Sequence, residues 1–149
     1  GQMVGRYIDG TILADVWSQV GGFLRDNGKR RHDMLARLPG NELFHRINGV
    51  FWGPEESPHR ETAFEEMWAR FQLSIGDAAF DEWNIYLVED ATKARLLVCR
   101  CYFENHSCDL VIEHILRSGE VDEILVQFGQ AIEPLWEEAR RRETAPDAD

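Results

Sequence analysis

The sequence predicts an α+β fold, an antiparallel β-sheet meander with helices packed on one face. Three observations support it. Residues 83–103 carry the pattern of a strand pair: Trp83, Ile85 and Leu87 alternate with Asn84, Tyr86 and Val88, and residues 95–103 run again as strand. Apolar residues recur at helical spacing on both sides of that stretch. The chain has 149 residues, 44% of them hydrophobic and 11% aromatic, enough for one core and a single domain spanning 1–149.

Taken in order, residues 11–25 read as a helix. Ile12, Val16, Val20 and Phe23 share a face that Leu13, Trp17 and Leu24 widen, with Thr11 as cap and Gly28 beyond the end. Gly21 and Gly22 weaken it by about 1 kcal/mol each against alanine. Residues 29–38 read as a second short helix, stopped by Pro39-Gly40. Residues 42–52 favour strand, because Leu43, Phe44, Ile47, Val50, Phe51 and Trp52 are bulky or β-branched and Asn48-Gly49 signals a hairpin turn. Gly53-Pro54 and Ser57-Pro58 mark a loop. Residues 59–73 give the clearest helix of the first half, with Thr62-x-x-Glu65 as a capping box and Phe64, Trp68 and Phe71 on one face. After the strand pair, residues 105–107 turn the chain and residues 110–116 read as a third strand, with a helix as the alternative. Ser118-Gly119 opens a last helix over 120–133, with Val121, Ile124, Leu125, Phe128 and Ile132 as its stripe. Pro134 is expected to kink or restart it, and residues 144–149 to fray. Gly1-Gln2 ahead of Met3 reads as a cloning remnant, with Met3 as the natural start.

Charge is distributed unevenly. Residues 1–50 hold seven basic and five acidic side chains, a net +2; residues 51–149 hold nine and 22, a net −13. Such a body repels nucleic acid and anionic membrane and attracts basic partners. No apolar run is long enough to span a bilayer, and no signal-peptide pattern opens the chain. Three cysteines, all within residues 99–108, argue against a disulfide scaffold and for a reducing compartment, the cytoplasm.

No catalytic motif is complete. The adjacent acids Glu55-Glu56, Glu65-Glu66, Asp81-Glu82, Glu89-Asp90, Asp122-Glu123 and Glu137-Glu138 read as a solvated face, not as an acid–base pair held in unlike environments. Lys29-Arg30-Arg31 reads as an exposed helix end. Cys99-x-Cys101-x4-His106-x-Cys108 is the tightest group of metal-capable side chains, but its spacing is not a common zinc pattern. Free cysteine also packs as a small core hydrophobe, so no metal or other cofactor is expected. Trp52 beside a Gly-Pro loop and two acids suits a partner contact. With it, Glu55, Glu56, Asp81, Glu82, Glu89 and Asp90 make the candidate partner-binding set.

The pattern Trp83-x-Ile85-x-Leu87-Val88-Glu89, a polar turn and Arg95-Leu96-Leu97 resembles a hairpin of immunity proteins from bacterial polymorphic toxin and contact-dependent inhibition systems. It continues as Val111-x-Glu113-x-x-Leu116-x-x-Gly119-x-Val121-Asp122-x-Ile124-Leu125. The family it is most similar to is immunity protein 42, over residues 80–130, while residues 1–60 match nothing recognisable. The resemblance implies a small cytoplasmic, non-catalytic protein that binds a cognate toxin domain and blocks its active site. An acidic inhibitor fits a basic toxin such as a nuclease, since complementary charge speeds association. The alternatives are a phage anti-defence inhibitor that mimics nucleic acid, a small zinc protein using Cys99, Cys101, His106 and Cys108, and an adaptor subunit of a larger assembly.

Overall fold

The computed structural model describes residues 13–53, 57–73, 82–102 and 107–144. The elements run α1 (Leu13–Arg25), a 3₁₀ turn (Leu35–Arg37), α2 (Gly40–Trp52), α3 (Arg60–Glu65), a second 3₁₀ turn (Trp68–Phe71), β1 (Trp83–Glu89), β2 (Lys93–Tyr102), β3 (Ser107–Cys108), β4 (Ile112–Arg117) and α4 (Glu120–Thr144). This is an α+β fold on an antiparallel sheet. The expected Thr11 cap and the tail over 145–149 lie outside the described residues.

The long β2 is the central strand. β1 pairs along one edge, from Trp83 opposite Arg100 to Glu89 opposite Ala94. The other edge takes β4, from Lys93 opposite Arg117 to Val98 opposite Ile112, and beyond it the two-residue β3. Pleating sends alternate residues to opposite faces. Tyr86, Val88, Leu97 and Cys99 meet Leu43, Phe44, Ile47 and Val50 of α2, together with Trp68 and Phe71. Leu87 and Ala94, one residue out of phase, meet Val121 of α4, with Phe23 of α1 packed alongside. The helix layer over the first face is α2; α1 and α4 form a second layer over the other.

Residues 42–52 are helix, not a hairpin. Leu43, Phe44, Ile47 and Val50 are buried and spaced for one helical face, and that periodicity outweighs their β preference. Asn48 makes no turn; its Oδ1 accepts from Asn84 Nδ2 at 2.8 Å and from the Tyr86 hydroxyl at 3.0 Å, which pins α2 to β1. Pro39-Gly40 starts this helix and does not end one. The Pro39 carbonyl accepts the Leu43 N–H at 2.8 Å. A Cβ on Gly40 would collide with the Glu113 carboxylate. The second short helix over 29–38 is reduced to the 3₁₀ turn at Leu35–Arg37.

The expected long helix over 59–73 is broken. Met67 takes a left-handed conformation (φ 53°), so α3 stops at Glu65 and a 3₁₀ turn follows. The break separates the three aromatics expected on one face: Trp68 and Phe71 are buried, while Phe64 is 86% exposed. α4 is continuous through Pro134, with no restart. That residue is exposed, on the outer side of the helix, where a missing backbone donor costs least. Ile124 and Phe128, expected in the core stripe, are half-exposed. No helix among the described residues is long and apolar enough to cross a membrane.

Candidate functional site

A cleft of about 570 Å³ opens where the β1–β2 turn, the start of α4 and the loop after α1 converge. Glycine shapes two of its walls. Gly28 (φ 72°) lets the chain leave α1, and Gly119 (φ 80°) lets it pass from β4 into α4. Glu89, Asp90, Asp122 and Glu123 line it, with Arg31 at the rim.

The two acidic pairs are not solvated faces, as sequence suggested. Each splits into one buried and one outward acid. Glu89 is buried, and its Oε1 accepts the Gly119 N–H at 2.9 Å, so a side chain of β1 caps the N-terminus of α4. Asp122 is also buried. Its Oδ1 accepts from Arg30 Nη1 at 2.5 Å and its Oδ2 from the Gly28 N–H at 2.8 Å. Arg30, expected at an exposed helix end, is fully buried. Its guanidinium also donates to the carbonyls of Phe23 at 2.6 Å and Arg70 at 3.0 Å. A buried arginine persists only when its donors are met in this way.

The outward acids are engaged too. Asp90 accepts the backbone N–H groups of Thr92 and Lys93 at 2.8 and 3.0 Å, which holds its carboxyl below the usual range. Glu123 pairs with Arg117 at 2.6 Å, and that hydrogen bond lowers its carboxyl in turn. At the far rim Arg31 pairs with Asp33 at 3.0 Å. The cleft is therefore acidic by composition while most of its charge is spent on internal partners.

The remaining candidates are scattered. Glu82 accepts from Arg100 Nε at 2.8 Å across the β1–β2 ladder. Trp52 is 45% exposed and hydrogen-bonds the Tyr86 hydroxyl. Glu55, Glu56 and Asp81 lie outside the described residues. The structure thus brings Glu89 and Asp90 together with Asp122 and Glu123, which the sequence did not put in the set. Their link is tertiary, and only the acid-rich opening of the last helix hinted at it.

The sulfurs of Cys99, Cys101 and Cys108 lie within 4.8 Å of one another. Cys101 and Cys108 face each other across β2 and β3 and form a disulfide, contrary to the expectation of free thiols. That bond occupies two of the four side chains considered for zinc; His106 lies outside the described residues. The Cys99 thiol is pushed up to about 11 by burial, with the charge of Asp109 adding to it, and it donates to the Asp109 carbonyl at 3.1 Å. A thiol held protonated at neutral pH is a packing group, not an activated nucleophile.

The family model for immunity protein 42 matches residues 1–131. The chain belongs to that family. Immunity protein 42 membership thus covers the first half, α1 and α2 included, which the sequence reading left unplaced. The fold is shared with a solved structure, CdiI from Burkholderia dolosa AUO158. The TM-score is 0.59 at 14% identity, covering 79% of this chain and 70% of that one. No curated protein sequence matches this member of the family.

Proposed function

We propose that this protein is a non-catalytic inhibitor, an immunity protein that binds a cognate toxin domain and blocks it. The observation that carries the reading is the immunity protein 42 match over residues 1–131. The fold shared with the CdiI from Burkholderia dolosa supports it.

The net charge of −11 favours a basic toxin, a nuclease being the chemistry that most often carries such charge. Attraction of this kind acts at a distance and raises the association rate more than the affinity. It does not require acids that are free to bond a partner, and the acids of the cleft are largely committed. The cleft serves this reading as part of the long-range field, with Asp90 and Glu123 as its outward charges. Glu89 belongs to the scaffold. Trp52, Glu55, Glu56, Asp81 and Glu82 remain proposed contacts. The site of action follows the toxin, in the cytoplasm of the producing cell.

The test is co-expression. The toxin domain encoded beside this gene is induced in cells with and without the protein. The reading expects growth to be restored and the two chains to co-purify. Continued growth arrest without a complex overturns it.

A further inference from the structure

A second depression, of about 880 Å³, lies on another part of the surface, between the end of α2 and the α3 region. Val50, Phe51, Ala63, Phe64 and Met67 give it an apolar floor and wall. Phe64 is 86% and Met67 68% exposed, a large apolar area to leave in water. Backbone strain keeps it there. Met67 is the non-glycine residue with positive φ among the described residues, and a left-handed methionine costs about 1–2 kcal/mol. Had the helix run on, Phe64 would share a face with Trp68 and Phe71 and follow them inward. The break holds Phe64 out.

Lys29, Arg60 and Arg70 surround this apolar patch. Arg30, Arg31, Arg46, Arg95, Arg100 and Arg117 all have carboxylate partners within ion-pair distance. Among the described residues the three groove cations have no such carboxylate partner and donate to backbone carbonyls. Lys29 donates to the Arg25 carbonyl at 2.6 Å and Arg60 to that of Val50 at 3.4 Å. Arg70 donates to the carbonyls of Glu66 and Met67 and lies over the Phe71 ring, 4.6 Å from its centroid. Its buried Nε has no hydrogen-bond partner. Asp26, also on the lining, and Glu66 act on Arg70 only at longer range than an ion pair. Three cations with no carboxylate in ion-pair distance among the described residues, gathered around one apolar groove, mark a surface suited to an acidic partner.

We infer that this groove is the seat for a segment of the toxin domain that presents a large apolar side chain flanked by carboxylates. The inference rests on the proposed immunity function and adds to it the local chemistry of the contact. Net negative charge draws the toxin in, and the groove holds it through apolar burial plus ion pairs of the opposite polarity. Exposed aromatic, methionine and arginine side chains around a pocket are the groups that anchor protein interfaces.

The test measures the affinity of an inactivated toxin domain for the wild type and three variants, with thermal melting as the fold control. Phe64→Ser with Met67→Ser should weaken binding at least about 30-fold, the size of a central anchor. Arg60→Glu, which makes the chain more acidic, should weaken binding roughly tenfold or more. A general attraction for a basic partner predicts unchanged or tighter binding for that variant. Asp90→Lys, in the cleft, should slow association and leave dissociation nearly unchanged. Phe64, Met67 and Arg60 face solvent, so melting of the groove variants should hold, while Asp90→Lys also loses the turn bonds to Thr92 and Lys93 and should melt somewhat lower. Wild-type binding with unaltered affinity for the groove variants overturns this inference and leaves the function standing. Self-association of the wild type that disappears in the groove variants, with toxin binding intact, assigns the groove to a second copy and also overturns it. Absence of wild-type binding overturns the function itself.

Discussion

The cleft and the groove carry opposite messages about charge. The cleft gathers four carboxylates, yet Glu89 caps a helix, Asp122 holds Arg30, Asp90 ties a turn and Glu123 pairs with Arg117. The groove has fewer charges, but Lys29, Arg60 and Arg70, beside exposed Phe64 and Met67, have no carboxylate in ion-pair distance among the described residues. Satisfied charge builds a fold; unsatisfied charge next to exposed apolar surface is what a partner can use. Net charge alone, which pointed to the acids, does not separate the two.

Breaking the cleft should therefore cost stability. The largest effect is expected from Asp122→Ala, which leaves Arg30 buried and charged without its carboxylate. About 3–5 kcal/mol should be lost, measured by urea unfolding. A loss under about 1 kcal/mol would mean that Arg30 is satisfied by carbonyls alone. Glu89→Ala should come next, at about 1–2 kcal/mol, because the Gly119 N–H loses its cap.

These two buried acids also mark where sequence stopped being informative. Strands β1 and β2 were legible because alternation of Trp83, Ile85 and Leu87 with Asn84, Tyr86 and Val88 is a local property of the chain. The helix at Gly40–Trp52 was hidden because Asn48-Gly49 carries a turn signature, while the partners that make Asn48 a helix-to-sheet anchor, Asn84 and Tyr86, come more than 30 residues later. Arg30 sits in a basic run that looks solvated, and its carboxylate is 92 residues away. The groove escaped for a related reason. One left-handed residue, Met67, overturns a helical pattern in which Phe64, Trp68 and Phe71 look equivalent.

The groove side of the comparison makes the smaller stability predictions. Met67→Gly should raise stability by about 0.5–1 kcal/mol, since glycine takes the left-handed conformation without penalty. It should also weaken toxin binding through loss of the side chain. A destabilised Met67→Gly would show that the conformation is not a strain held for binding. The smallest effect concerns pH. The hydrogen bond from His32, and then that from Trp68, lowers the Glu66 carboxyl below its ordinary value. A carboxyl depressed in the folded state contributes stability above its unfolded pKa. That contribution is lost as pH falls through the folded value. Glu66→Gln should therefore lose that contribution at neutral pH and flatten the acid limb of the stability profile, matching wild type once Glu66 is protonated. An acid limb identical to wild type would contradict that role for Glu66.

Amide hydrogen exchange on the protein with and without the bound toxin domain bears on both regions at once. The account predicts that the toxin slows exchange over residues 60–70 and at the end of α2, and leaves the β1–β2 turn and the start of α4 close to their free rates. Protection confined to that turn and the start of α4, with residues 60–70 unchanged, would contradict it.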